Sequence, residues 1–337
     1  MATYSTIKGF QVETLAADPS NLGAGQVWYN TTTSTLKGYG QQGTAAWASG
    51  GAINTGRKYV GSGGLTTAAW IGAGNAPSAV SLTIAETYDG TSWTEVNDLN
   101  TGRSYMMGSG SSTAALAFGG WYAPNPPGTA VSALTESYNA TSWTEVADLN
   151  TARRKATGQG TNTAALLAGG SINSLPAGAG DQKTVEIWDG TSWTEVSDLN
   201  TARMDISSAT QGTPTAALVF GGSPQPAANQ LTESYNGTSW TEVADLTTPK
   251  TIASGAGVQG FALCWGGINP PFYSCEQWNG TSWTEVADIG ISQYGTGHGG
   301  TATTAWQAAG STSPGSTFPT AVEEFSTPLA TKTFTAS

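Results

Sequence analysis

NGTSWTEVADI, spanning Asn279 to Ile289, has four near-copies upstream: NGTSWTEVADL from Asn236, DGTSWTEVSDL from Asp189, NATSWTEVADL from Asn139 and DGTSWTEVNDL from Asp89. Their tryptophans, Trp93, Trp143, Trp193, Trp240 and Trp283, are spaced by 50, 50, 47 and 43 residues. Ten residues after each Trp stands Arg103, Arg153, Arg203, Lys250 or Gln293. Counting back by the same interval from Arg57 reaches Trp47, which lacks the Glu and Asp that follow the others and so marks a degenerate sixth copy. A period of this length outranks any local signal, because it decides the architecture.

Each period holds four strand-like pieces. A Gly/Ser-rich piece follows the basic head, as in RSYMMGSGSS (103–112). An apolar run closed by glycine comes next: AALAFGG (114–120), AALLAGG (164–170), AALVFGG (216–222) and FALCWGG (261–267). A variable loop leads to an alternating piece ending in an aromatic, such as LTESY (134–138) or TVEIW (184–188), and the Trp piece SWTEV closes the unit. The apolar run predicts a strand covered on both faces, and the alternating pieces predict strands with one wetter face. Asp89-Gly90, Asp189-Gly190, Asn236-Gly237 and Asn279-Gly280 stand between the last two pieces and are hairpin turns by composition, whereas Asn139-Ala140 suggests a longer type I form.

Four antiparallel strands repeated every 40–50 residues or so predict the blades of a β-propeller. The double glycine after an apolar strand, followed by a spaced aromatic and a Trp (Gly119-Gly120, Tyr138 and Trp143, with their equivalents), resembles the kelch repeat over about residues 47–325. The resemblance implies an all-β fold: a six-bladed kelch-like β-propeller occupying residues 36–337. Six heads, six second strands ending near Gly74, Gly120, Gly170, Gly222, Gly267 and Gly310, and six third-strand aromatics are present, but only five Trp pieces follow them. The N-terminal strand around Trp47 supplies the sixth if it joins the C-terminal blade beside the strand ending at Phe325, which keeps the Trp-to-head spacing and leaves no free sheet edge. The competing closure uses TKTFT (331–335) as the last outer strand.

The chain has 337 residues with a net charge of −11, 13 Trp and only 10% charged residues. An acidic chain of this kind is unsuited to phosphate contacts, so no nucleic-acid partner is expected. The acid belongs to the repeat: Glu86, Glu136, Glu186, Glu233, Glu276 and Glu323 precede the third-strand aromatics, and a Glu and an Asp follow each of the five Trp. Apolar runs are strand-sized, so no membrane insertion is expected, and MATYSTIKGF lacks the basic-then-apolar pattern of a secretory signal.

Residues that recur once per blade, the basic heads and the third-strand Glu, are expected to be scaffold. His298 is the single histidine, so no histidine metal cluster is possible, and neither a metal nor a cofactor is expected. The copper oxidases among kelch-type proteins use a Tyr, His and Cys-linked Tyr set that one histidine leaves incomplete. Cys264 and Cys275 occupy positions that are apolar in other units; they suit buried thiols, with a cross-strand disulfide as the other option. No arrangement of paired carboxylates or Ser, His and Asp stands apart from the repeat, so the chain is expected not to be an enzyme.

What varies are the loops between second and third strands, all on one face with the fourth-to-first connections. Variable loops on a rigid scaffold are where binding concentrates. Trp121, Tyr122, Phe272 and Tyr273 are aromatics there outside the repeat pattern, and with Asn125 and Asn173 they form the candidate binding set. Residues 25–48, GQVWYNTTTSTLKGYGQQGTAAWA, are similar to short β-modules in tail and fibre proteins of tailed bacteriophages. That likeness implies a virion protein in which residues 1–35 form an attachment segment bound to other virion proteins. The ring would then be displayed toward a host-surface glycan or protein, or decorate the particle. The other readings are an intracellular kelch-type adaptor and a glycan-active propeller enzyme.

Overall fold

The computed structural model describes residues 12–20, 26–41, 44–77, 80–122, 131–172, 180–224, 229–312 and 317–334. All regular elements among them are strands. The chain divides into two compact units, residues 47–325 and a smaller one made of residues 1–46 and 326–337.

The larger unit contains six four-stranded sheets. The first is Gly61–Leu65, Ala68–Gly72, Ala85–Tyr88 and Trp93–Val96, each strand antiparallel to the next. Four more repeat this order, and the sixth runs Gly297–Gly300, Thr304–Ala308, Glu323–Ser326 and then Ala46–Ser49. The innermost strands pack against one another in cyclic order, with Gly297–Gly300 returning to Gly61–Leu65, so the sheets form a ring.

Close approach at the centre explains the Gly/Ser-rich first pieces. A Cβ on Gly255 would lie 2.3 Å from the Ser208 carbonyl of the neighbouring blade. The double glycines answer a different need: Gly119 has φ 64°, and a Cβ there would come within 2.6 Å of the Arg153 carbonyl. The apolar second strands are buried on both faces; Ala115, Leu116, Ala117 and Phe118 have no exposure.

The repeated undecamer is the outer hairpin, and its Trp is the wedge between blades. Trp143 packs on Tyr138 of its own blade at 5.0 Å and on Trp70 of the preceding blade at 5.3 Å. Trp93 meets Tyr88 and Trp306, Trp193 meets Trp188 and Phe118, and Trp283 meets Trp278 and Phe220 in the same way. Trp47 follows the rule from the other end of the chain: it lies 5.3 Å from Phe325 and 5.0 Å from Trp265. Beside it, Gly50 N donates to Val322 O at 2.9 Å.

The turn at Asn139-Ala140 differs from expectation. Ala140 has φ 72°, and Asn139 Oδ1 accepts from Thr141 N and Ser142 N at 3.0 and 2.9 Å, just as Asp89 does in its Gly-bearing copy. The side-chain oxygen of Asn139 satisfies the turn, and the repeat imposes its geometry on an alanine.

The smaller unit is a four-stranded sheet in the order Glu13–Leu15, Val27–Asn30, Thr35–Gln41, Leu329–Phe334, its first pair parallel. Trp28 is fully buried in it. The Asp18 carboxylate accepts from Trp28 Nε1 at 3.0 Å, Asn30 Nδ2 at 2.6 Å and Lys37 Nζ at 2.7 Å, and these donors, Lys37 first, hold its pKa at about 2. The boundary expected at residue 35 therefore meets a strand: Thr35–Gln41 belongs to this sheet, paired antiparallel with Leu329–Phe334. Residues 331–334, the competing candidate for the last outer strand of the ring, are used here instead.

Candidate functional site

The recurring charges lie inside the blades. Arg103 Nη2 donates to Glu136 Oε1 at 2.8 Å, and the other carboxylate oxygen accepts from Asn100 N at 2.7 Å and Asn100 Nδ2 at 2.8 Å. Arg57–Glu86, Arg153–Glu186 and Arg203–Glu233 repeat this pairing, each partner at most 1% exposed. The carboxylate thus ties the incoming connection and the strand head to the third strand, which is a scaffold role. In the fifth blade Lys250 turns to the Ser274 carbonyl at 2.9 Å, and Glu276 accepts from Thr247 N and Thr248 N.

A second set of equivalent positions varies in identity. Two residues after each head come Tyr59, Tyr105, Lys155, Asp205, Ile252 and Gly295, all left-handed, with φ between 52° and 63°. Five of them are non-glycine residues in a conformation that costs roughly 1 kcal/mol each. The backbone offsets this by linking them hand to hand across blade boundaries. Tyr59 N donates to Gly295 O at 2.6 Å, Tyr105 N to Tyr59 O at 2.9 Å, Lys155 N to Tyr105 O at 3.2 Å, Asp205 N to Lys155 O at 2.7 Å and Ile252 N to Asp205 O at 3.0 Å. A collar of peptide groups surrounds one mouth of the channel.

The collar side chains and their neighbours form a cluster of aromatic rings and cations. Tyr59 stacks on Tyr105 with centroids 3.8 Å apart. Lys58 Nζ lies 4.9, 5.3 and 5.0 Å from the ring centres of Tyr59, Tyr294 and Phe318. The Arg154 guanidinium lies 5.5 Å from the rings of both Tyr105 and Trp121. Lys155 sits over Tyr105 at 5.2 Å and pairs with Asp205 at 2.9 Å. Desolvation raises the Asp205 pKa despite Lys155, and it raises the phenol pKa values of Tyr59 and Tyr105 as well. A cavity of about 90 Å³ opens against Tyr59, Tyr105, Lys155 and Asp205 of this cluster, and a second of about 70 Å³ is lined by Ser62, Thr157 and His298 among others.

Among the residues expected to bind, Trp121 is part of this cluster. Its backbone bridges Ser104, which holds the start of the loop beside the fourth-to-first connection. Tyr122 turns to its own loop, its hydroxyl 3.1 Å from Ser132 Oγ. Phe272 is half-buried and Tyr273 is 46% exposed on the fifth blade; among the described residues no contact joins them to Trp121 or Tyr122. Asn125 and Asn173 lie outside the described residues. Lys58, Tyr59, Tyr105, Arg154, Lys155 and Asp205 lie outside the candidate set that the loop sequences point to. The signal in the sequence is a position two residues after each head that holds Tyr, Tyr, Lys, Asp, Ile and Gly, while the head itself stays basic in five of the six copies.

Cys264 and Cys275 are free thiols, both fully buried, and burial pushes both pKa values upward. His298 lines both cavities, its Nδ1 3.2 Å from the Thr296 carbonyl, and burial lowers its pKa to about 4. A histidine with a depressed folded pKa is neutral in the ring and charged in the unfolded chain below its ordinary value. Stability should therefore fall as the pH drops from about 6.5 toward 4, by up to about 3 kcal/mol for the whole shift. Denaturant unfolding of His298→Gln against the parent checks this: the variant should lose that part of the pH slope, and an unchanged slope would show that other groups set it.

These features define the larger unit as a β-propeller with a channel of mixed polar and apolar lining and an aromatic, cationic mouth. A solved structure titled "Structure of YjhT" is similar to it in fold, with a TM-score of 0.66 at 13% identity over 83% of this chain and 99% of that one. No protein-family model matches the chain, and no curated protein sequence matches it.

Proposed function

We propose that this chain is a non-enzymatic virion protein of a tailed bacteriophage, a kelch-like propeller that binds a host-surface component through the face bearing the collar. The observation that carries the binding role is the mouth itself. Six blades place a left-handed collar residue of varying identity around a single opening, and strained, variable residues on a repeating frame are the part of the molecule available for recognition. The likeness of residues 25–48 to tail and fibre modules supports the virion setting. The small sheet unit fits attachment to other virion proteins, since it has its own buried Trp28 and stands as a separate compact body.

A hydrolytic reading fits the mouth less well. Glycoside hydrolysis takes two carboxyl groups placed across the scissile bond, and Asp205 is the single carboxylate among the residues lining the cavity. The test is a pair of double variants, Trp121→Ala with Tyr122→Ala and Phe272→Ala with Tyr273→Ala, assayed for binding to host cells. Loss of at least tenfold in the first pair at unchanged melting temperature is expected, because Trp121 belongs to the mouth. Parental binding by both variants, or a particle structure with this face buried against the shell, would replace host attachment with a decorating role.

A further inference from the structure

The outer hairpins hold the reacting groups of a self-modification. Each turn opens on Asp89, Asn139, Asp189, Asn236 or Asn279, whose Oδ1 accepts from the backbone N–H groups two and three residues on. Asn236 Oδ1 accepts from Thr238 N and Ser239 N, each at 2.9 Å. Asn279 Oδ1 accepts from Thr281 N at 2.9 Å and Ser282 N at 3.0 Å, and from the Thr281 hydroxyl at 2.8 Å. Both asparagines are exposed, and each is followed by a glycine, Gly237 or Gly280. Among the described residues neither glycine N–H has a hydrogen-bond partner.

We infer that Asn236 and Asn279 are sites of spontaneous deamidation, converted to aspartate through a cyclic imide formed with the following glycine. The glycine nitrogen attacks Asn Cγ; the N–Cγ bond forms, the Cγ–Nδ2 bond breaks, and ammonia leaves carrying the proton lost by the glycine N–H. Water then opens the ring at the same N–Cγ bond, which returns a proton to the glycine nitrogen and leaves a carboxyl group that ionises. The negative charge that builds on Oδ1 during the attack meets N–H donors already 2.9–3.0 Å away, the arrangement that stabilises an oxyanion in acyl transfer. Glycine has no Cβ to obstruct the approach. Asn139 is the comparison within the same chain: its Oδ1 has the same two donors, at 3.0 and 2.9 Å, but Ala140 follows it.

The repeat already contains the product. Asp89 and Asp189 accept the same hydrogen bonds in the same turn, and these donors, the Thr91 and Thr191 hydroxyls first, hold both carboxyls at about 2. Opening the imide at its backbone carbonyl would instead give isoaspartate, which adds a methylene to the main chain and disrupts the hairpin. The folded turn therefore favours aspartate. These turns lie at the opposite end of the blades from the second-to-third-strand loops, so the added charge falls on the face away from the mouth.

Peptide mapping by mass spectrometry, on the folded full chain aged at mildly alkaline pH, tests this. Asn279 and Asn236 should convert at least about tenfold faster than Asn139, with Asn279 the faster of the two. Thr281→Val, which removes the third donor, should slow Asn279 to the rate of Asn236. The aspartate share of the product should be higher from the folded chain than from the urea-unfolded one, and Asn279→Asp should melt at the parental temperature. Retention of both amides, conversion of Asn139 at the same rate, an unchanged Asn279 rate in Thr281→Val, or equal isoaspartate shares from folded and unfolded chains would overturn the inference.

Discussion

Deletion of residues 1–50 is expected to unfold the ring at temperatures where the parent is native. The deletion removes Ala46–Ser49, the outer strand of the sixth blade, and with it Trp47, which packs on Phe325 and on Trp265 of the neighbouring blade. Trp47→Ala alone should cost about 3 kcal/mol, the lower end for a large aromatic because the residue is only half-buried. The deletion should cost more, because it also exposes the strand edge at Glu323–Ser326. Calorimetric melting of both variants is the check. A deletion variant that melts at the parental temperature would show that the N-terminal strand does not hold the ring together.

Glu186→Ala is expected to be nearly as damaging. Glu186 is fully buried, pairs with the equally buried Arg153, and accepts from Asn150 N at 2.8 Å and Asn150 Nδ2 at 2.9 Å. Removing it strands a guanidinium and two amide donors away from water, a change worth about 3–5 kcal/mol for a broken buried pair. Glu186→Gln keeps an acceptor for Asn150 and should lose less. Chemical denaturation measures both, and host-cell binding of whatever remains folded should be parental. Loss of binding at an unchanged denaturation midpoint would move Glu186 from scaffold to site.

How much of this was legible in the sequence follows from what repeats. Trp93, Trp143, Trp193, Trp240 and Trp283 do the same job in each blade, so their period carries the architecture, and the Trp-to-Arg interval was enough to find Trp47 where the motif around it has decayed. The recurring Glu were legible as scaffold for the same reason: six copies of a charge answer a structural need. The small sheet was legible only in part: residues 25–48 read as a short β-module, and Val27–Asn30 does pair antiparallel with Thr35–Gln41. LKGYG alternates like any blade strand, and its pairing with residues 329–334 joins the two ends of the chain, which no local pattern reports. The Asn139-Ala140 turn was misjudged because composition favours glycine there, whereas the surrounding ladder dictates φ. The mouth was hidden by its own diversity. Tyr59, Tyr105, Lys155, Asp205, Ile252 and Gly295 share a backbone conformation but five different side chains, and only the ring brings them together.

We propose that this propeller belongs to a phage particle and is displayed on its surface. The most direct measurement is the protein content of infectious particles purified through a density gradient, combined with labelling by an antibody against the ring. Peptides of this chain should be found in the particle band, and intact particles should be labelled. Its presence only in the soluble fraction of the lysate, with unlabelled particles, would contradict it.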